Sequence, residues 1–573
     1  MLTRLRHPPW NHILAGLTFV ALALWQMGPV LARPTELAIG HPANDVWNHI
    51  WGYGFVAQSL LEGELPFYTD LMNWPEGGTL WFIDMMGAIM TLPVYMVSGP
   101  VAAYNASYLL MWTLCGAGMY ALAFRVTGSA LGAWAAGIAY QSMPHLLGQA
   151  HNGISETLMA GFLPLALLEL RELFHKPSLR TAIRAGFMLG LTALANWYYG
   201  LFAGIALLGL CARGLAVNGL KRHREVWRFG TIFGLTTLII VAPAFYAFSV
   251  SMSVDDAVVT RDPQFVWATL VLHNMTDVVS FFRPGKHYSP DLKALFGEDL
   301  LVIVYLGHAL IWPALLALFT AYRKRLKSWI ALGLVYFVLC LGPFLFIAGD
   351  YVQAFGGWIP LPFLALFKWF PMFSRISHAY RFSVGVGLVL CVLLAWTVRA
   401  MQRSRLAGIV PVALLAALRL AESFYASPAP FPLPASEAKV PSVVKQLEGG
   451  AVLDLPVGRP VLARSQYALT QLVHGQASPY GLNDPLPKSL RSNRFLRFLV
   501  EMEYSTAATL PASLPWFDLY MGQQAATADG LRWIVLHEAS YPAGQFARTA
   551  RFLDIVATAV HSGDGMRIYR LSP

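Results

Sequence analysis

The feature that most limits what this chain can become is a succession of apolar stretches of about 20 residues, the length a helix needs to cross the hydrocarbon core of a bilayer. They lie near 12–31, 100–124, 129–147, 154–173, 182–198, 200–215, 229–250, 301–321, 329–348, 382–399 and 406–423. Lipid offers no partner to backbone polar groups, so each stretch must close its own hydrogen bonds as a helix. About eleven transmembrane helices are predicted. Of 573 residues, 56% are hydrophobic and only 13% charged, too few polar side chains to cover a water-soluble globule.

Basic clusters set the orientation. Arg4 and Arg6, Arg125, and the stretches Arg171 to Arg184, Arg213 to Arg228, Arg323 to Lys327 and Arg399 to Arg405 fall on one side of an eleven-span arrangement. The positive-inside rule makes that side the cytoplasm, which also places the N-terminus there. The net charge of +10 thus belongs to membrane-flanking clusters, and no nucleic-acid partner is expected. The segment 85–98, MMGAIMTLPVYMVS, is short and carries Pro93; as a full span it would invert every later loop, so it reads as interfacial or re-entrant. The first span lacks a small-residue cleavage motif and reads as retained. Cys115, Cys211, Cys340 and Cys391 all sit inside apolar runs without metal-ligand spacing and read as small core residues.

The chain divides into a transmembrane domain (1–424) whose first outer loop covers 33–84, a Pro-rich linker (425–441), and a soluble extracytoplasmic α/β domain (442–573). In the last, GGAVLDLP, LRWIVLHEA and MRIYRL read as strands and SLRSNRFLRFLVEME as an amphipathic helix. His474 and His537 there read as structural, because neither has a nucleophile or carboxylate in a recognisable order.

Residues 40–84 hold Asp45, Glu62, Glu64, Asp70, Glu76 and Asp84 with no Lys or Arg, in a chain that is otherwise basic. An acidic, aromatic loop at a membrane surface suggests a site that handles a polar group where lipid meets water. Within it Val46, Ile50, Tyr53, Ala57 and Leu60 or Leu61 recur at helical spacing, which predicts an interfacial helix with Trp47 and Trp51 at headgroup depth. Asp45 and His49 share a face of that helix. Asp45 also stands where a helix N-cap would, and a capping role and a site role can coexist.

These residues carry a family resemblance. An Asp just after the first span, an interfacial helix and EGELPFYTDLMNWPEGG resemble the GT-C superfamily of membrane glycosyltransferases. GQAHNGISETLMAGFLPLALLELREL (148–173), FSRISHAYRF (373–382) and the C-terminal AVLDLP, QLVHGQ and LRWIVLH extend the likeness in layout over nearly the whole chain. The resemblance implies an inverting hexosyl or pentosyl transferase of the bacterial inner (plasma) membrane. Such an enzyme moves a sugar from a polyprenyl-phosphate carrier to an extracytoplasmic glycan, lipid or protein. It implies an Asp general base, for which Asp45 is the choice, and positive charge for the departing phosphate. Arg375 and Arg381, with His378 between them, lie just before an outer span end and suit that task; the alternative is snorkelling to headgroups. His49, Asp84, His151 and Glu156 are further polar candidates. A divalent metal held by Asp84, His151 and Glu156 stands beside a purely hydrogen-bonding role for them. Tyr198 and Tyr199, after Asn196 and Trp197, suit sugar stacking or an interfacial aromatic belt.

Two other classes compete. A transporter or lipid-linked-sugar flippase would carry broken helices and ionisable residues at mid-membrane depth in repeated halves, whereas here they cluster at the outer ends of spans. A catalytically inactive GT-C-like scaffold would share the layout, and no second obvious acidic pair stands beside Asp45.

Overall fold

The computed structural model describes residues 10–218, 223–251, 253, 263–284, 302–404, 408–429, 431–459, 464–482, 488–505, 507, 509–542 and 544–572. Arg4, Arg6 and Arg405, and most of the loop expected over 252–300, lie outside them. Helix α1 (Trp10–Met27) leads through a 3-10 segment to strand β1 (Leu37–Ile39) and helix α2 (Val46–Glu62). A short hairpin, β2 (Tyr68–Thr69) and β3 (Gly78–Thr79), precedes α3 (Met85–Met90) and α4 (Leu92–Thr127). Gly99, at φ 78° and followed by Pro100, kinks α4, so 85–98 becomes α3 plus the first turns of α4, set apart from the long apolar part.

Next come α5 (Ala130–Gln141), α6 (Pro144–His151), a 3-10 segment Ser155–Gly161, α7 (Phe162–His175), α8 (Leu179–Ala195) and α9 (Trp197–Asn218). α10 (His223–Ser251) and the short α11 (Pro263–Ala268) follow. The chain re-enters extended at 302–307, then forms α12 (His308–Leu315), α13 (Arg323–Cys340), two small hairpins (β4 to β7, within 346–358) and α14 (Pro362–Trp369). α15 (Ser383–Arg403) and α16 (Ile409–Ala421) complete the helical part. Among the described residues five helical stretches are long and apolar enough to cross a membrane: Trp10–Ala32, Leu92–Thr127, Arg228–Ser251, Ala379–Arg403 and Ile409–Ala426. Several other expected spans are met by shorter or interrupted helices. Pro144 starts a new helix inside 129–147, and the stretch 301–321 is helical only from His308. α15 is central, buried from Ser383 to Val398 and packed on α5, α12 and α13.

The polar ends of the helices sort by side. Arg125 at the end of α4 donates to Glu172 of α7 at 2.8 Å, and Arg184 of α8 pairs with Glu169 of α7, so the basic ends of three helices meet. Both pairs leave an Arg about half exposed and contribute little to stability. Their value here is to place those ends together, with His12 of α1 lining the same hollow.

Beyond α16, β8 (Ala435–Glu437) lies in the Pro-rich linker and pairs antiparallel with β1, Leu37 opposite Glu437 and Ile39 opposite Ala435. β9 (Ala451–Leu455), β10 (Leu531–His537), β11 (Thr558–Gly563) and β12 (Met566–Arg570) form one sheet in the order β11-β12-β10-β9, in which only β9 and β10 run parallel. Helices α17 (Gln466–His474), α18 (Lys488–Ser492), α19 (Arg494–Tyr504), α20 (Trp516–Ala528) and α21 (Gln545–Val556) accompany it. Their shared core, including Leu453, Phe495, Leu499, Ile534 and Phe552, also takes in Trp74 from the first outer loop. The Trp74 indole donates to the Asp529 carbonyl at 3.0 Å, and backbone bonds join Trp74 to Ser478 and Asn73 to Tyr480. The acidic loop is thereby stitched to the C-terminal part.

This corrects one expectation. α2 does not lie open at an interface: Val46 to Ala57 are all buried, with Trp51 fully enclosed and its indole donating to Gln471 of α17 at 2.5 Å. The Trp51 side expected at headgroup depth is covered by α17, which packs on α2 from more than 400 residues away in sequence.

Candidate active site

The site is assembled where α2 begins. Asp45 is the residue before the helix, but its side chain makes no capping bond to the backbone; its Oδ1 instead accepts from the Asn48 amide at 3.2 Å. Its backbone N–H donates to the Asn152 carbonyl at 3.1 Å, and the Asn44 and Asn152 side chains bond at 2.7 Å. The tight turn after α6 makes this possible. Gly153 adopts φ +75°, and a Cβ there would stand 2.5 Å from Val46, so the turn lies backbone to backbone against the start of α2. Asp45 is thus bonded to Asn48 and Asn152, with Asn44 holding Asn152 in turn, and is 9% exposed.

One turn into α2, His49 meets a buried polar line. The Ser155 hydroxyl lies 3.0 Å from His49 Nδ1 and donates to Asp84 Oδ2, which also accepts from the Tyr53 hydroxyl at 2.8 Å. Gly87 N–H closes on Asp84 Oδ1 at 3.2 Å, making Asp84 the N-cap of α3. On the other side His49 Nε2 stands 3.6 Å from Glu156 Oε2, and the opposite oxygen of Glu156 stands 3.4 Å from the Arg381 guanidinium. The Arg381 guanidinium lies 5.0 Å over the Tyr198 ring, a cation–π arrangement. His378 extends the row, 2.7 Å from Ser377 Oγ and 3.5 Å from the Tyr198 hydroxyl.

Burial governs the protonation of this line. It raises Asp84 from 3.8 to about 7, with Glu156 adding to the rise against the hydrogen bonds from Ser155 and Tyr53. It lowers His49 from 6.5 to about 4, Asp45 opposing and Arg381 assisting. His49 is therefore neutral near pH 7, and its approaches to Asp84 and Glu156 are polar contacts of a neutral ring, not ion pairs. The donor order along the line depends on where the Asp84 proton is. With Asp84 ionised, Ser155 donates to Asp84, His49 Nδ1–H donates to Ser155, and His49 Nε2 turns a lone pair to Glu156. With Asp84 protonated the sequence reverses, and Nε2–H points at Glu156.

Of the expected residues, Asp84, His49, Glu156, Arg381, Tyr198 and His378 form one connected row. Asp45 adjoins it through His49. Tyr199 turns away and donates to the Thr157 carbonyl, which anchors α9. Arg375 is exposed at the end of the 3-10 turn Phe373–Arg375. His151 stacks on His41, ring centroids 5.7 Å apart. The metal alternative needs correction: among the described residues no group of three or more His, Cys, Asp and Glu side chains could hold a metal ion. Asp84 and Glu156 are taken up by Ser155, Tyr53 and Arg381, and His151 faces His41 instead.

Sequence reasoning missed Ser155, Tyr53 and the amides Asn44, Asn48 and Asn152. Tyr53 was within reach, since it follows His49 by four positions on the same helix face.

No family model matches the chain, and no curated protein matches it in sequence. In three dimensions it is similar to the arabinofuranosyltransferase AftD from Mycobacteria, at 14% identity and a TM-score of 0.56, over 99% of this chain and 40% of that one. A looser likeness, with a TM-score of 0.43 and 14% identity, covers 98% of this chain and 74% of the oligosaccharyltransferase AglB from Archaeoglobus fulgidus. Another, with a TM-score of 0.39 and 12% identity, covers 97% of this chain and 99% of ArnT from Cupriavidus metallidurans. These structural neighbours are GT-C glycosyltransferases. The chain spans about two fifths of the length of AftD, and the likeness is one of fold.

Proposed function

We propose that this protein is a membrane glycosyltransferase that moves a sugar from a polyprenyl-phosphate carrier to an extracytoplasmic acceptor with inversion, Asp45 acting as general base. One observation carries the reading: Asp45 stands one turn before His49 at the start of α2, and Glu156 links that ring to the Arg381 guanidinium at 3.6 and 3.4 Å, so a carboxylate and a buried cation belong to one site. Such a pair suits a displacement in which the acceptor oxygen attacks the anomeric carbon as the bond to phosphate breaks. The carboxylate takes the acceptor proton, and the phosphate leaves with the electron pair towards positive charge. Arg381 retains a donor for it, since its Nε has no hydrogen-bond partner among the described residues. Glu156 and Tyr198 hold the guanidinium in place, and His378 adjoins through Tyr198.

On this reading the protein lies in the bacterial inner membrane, N-terminus in the cytoplasm, and 442–573 form an extracytoplasmic α/β domain. Asp84 is a supporting group rather than a rival base, because both of its oxygens are engaged and it is fully enclosed. Asp45→Asn should leave the protein folded and inserted while lowering transfer by about 10²–10⁴-fold, the usual contribution of a general base. A deletion strain carrying it should then accumulate lipid-linked sugar. Restoration of the normal envelope glycan by that variant would overturn the assignment.

A further inference from the structure

Where the basic helix ends meet, the start of α1, the ends of α4 and α7 and the first turns of α8 surround a hollow of about 440 Å³. Its lining includes His12, Phe124, Arg125, Glu169, Glu172 and Arg184. Because α1 packs on α4, α4 on α7 and α7 on α8, the middle two helices make the floor and the outer two the walls. Helix α7 carries the chain roughly 20 Å from Glu156 to this place, so the hollow lies apart from the row described above. Its volume is within the ~300–1,000 Å³ of sites that enclose a small organic ligand.

The polar groups of the lining are unequally satisfied. Arg125 Nε donates to Glu172 Oε1 at 2.8 Å and its Nη2 to Oε2, while Arg171 reaches Oε1 at 3.1 Å, so both oxygens of Glu172 are engaged. Arg184 Nη2 pairs with Glu169 Oε1. The other oxygen of Glu169 has no hydrogen-bond partner among the described residues, although the residue is only 7% exposed. A carboxylate oxygen so placed costs free energy until a donor reaches it, and that donor has to come from the hollow. The guanidiniums are open by contrast, with the Arg125 side chain 49% and the Arg184 side chain 52% exposed. Each spends only part of its five N–H donors on a carboxylate. Deeper along the flanking helices Leu14 and Leu17 of α1 and Ile183 and Phe187 of α8 are exposed apolar side chains, the surroundings that acyl chains need.

We infer that this hollow is a phospholipid headgroup site that takes phosphoethanolamine, its phosphate on the outward N–H groups of Arg125 and Arg184 and its primary ammonium on Glu169 Oε2. Two guanidiniums stand against two carboxylates in the lining. An anion alone would face Glu169 and Glu172, and a cation alone would face Arg125 and Arg184, whereas a zwitterion meets each sign with its opposite. The bonds at both ends are charge-assisted. A choline headgroup carries the same charges but no N–H for Glu169, and a phosphoglycerol headgroup has no cation. The inference uses the placement of the helices in a membrane and not the sugar chemistry, so it stands or falls apart from the assignment of Asp45.

The test titrates the full chain, stripped of lipid in detergent, with dioleoyl phosphatidylethanolamine, dioleoyl phosphatidylglycerol and dioleoyl phosphatidylcholine, and counts bound lipid by native mass spectrometry. The ethanolamine lipid should bind at one site about tenfold more tightly than the choline lipid, as the gain of one charge-assisted hydrogen bond implies. Glu169→Gln should remove that preference and leave phosphatidylglycerol binding unchanged. Arg184→Ala should weaken binding of all three. Arg180→Ala, exposed on the same helix but outside the hollow, should change nothing, whereas general attraction to a basic surface would weaken with it as well. Equal affinity for the ethanolamine and choline lipids, or a preference that survives Glu169→Gln, overturns the inference. Tighter binding of phosphatidylglycerol than of phosphatidylethanolamine makes the hollow an anionic-lipid site and overturns it too. The comparison of the three lipids on the native chain needs no variant, so it decides even where Glu169→Gln fails to fold.

Discussion

His49 and Asp84 are opposed in how they answer to pH. Asp84 ionises near 3.8 in an unfolded chain and at about 7 in the native one, so its contribution to stability is complete below about pH 4 and is lost as pH rises to about 7. His49 runs the other way: unfolded it holds its proton up to 6.5, native only up to about 4, so stability grows as pH rises across that interval. The effects are of the order of 4 kcal/mol for Asp84 and 3 kcal/mol for His49 by the usual conversion of a pKa change into free energy, and in the intact protein they offset where the two intervals overlap. Thermal unfolding in detergent should therefore be nearly level between about pH 4 and 6.5 for the native chain. It should rise with pH in Asp84→Asn and fall with pH in His49→Gln; parallel profiles for the two variants would refute the arrangement. Asp45, His49, Asp84, Glu156 and Arg381 were legible as candidates because ionisable groups near a membrane are costly and few. Ser155 and Tyr53 were not, because hydroxyls are common and cheap, and only the fold decides which of them faces a buried carboxylate.

At the level of elements, the turn between α6 and the 3-10 segment Ser155–Gly161 controls the entry of α2. Gly153→Ala would add backbone strain of about 1–3 kcal/mol and drive a methyl group into Val46. Gly128→Ala is the matched control, since Gly128 has φ +69° but nothing within 4 Å of its Cβ position. Gly153→Ala should lose more stability than Gly128→Ala in a detergent melt, and only Gly153→Ala should also lower the transfer rate, by about 10²-fold for a displacement of the base of roughly 1 Å. Equal rates in the two would detach the turn from the site. The helices themselves were the most readable part of the chain, because apolar length alone marks a span. Their interruptions were less so: Pro144 and the extended 302–307 lie inside runs whose hydropathy shows no break. The burial of α2 was unreadable for a different reason, since its covering partner α17 is supplied by the distant C-terminal part.

For the whole molecule, the helix ends that carry Arg125, Arg171 and Arg184 gather around Glu169 and Glu172, and the topology proposed above takes that basic side as the cytoplasmic one. A reporter fused after Pro434 should be active only outside the cytoplasm, and a cytoplasmic signal there would reverse the orientation. The pairing of β1 with β8 has a consequence in time. Leu37 leaves the ribosome about 400 residues before its partner Glu437, which at synthesis rates of about 5–20 residues per second is a delay of roughly 20–80 s. Throughout it the helices can insert one after another while the outer loop waits with an open strand edge and Trp74 unhoused. The row from His49 to Arg381 is complete in sequence before β8 is made, whereas the cover over α2 and the housing of Trp74 wait for the last hundred or so residues. The late step therefore closes the site's walls and does not supply its polar groups.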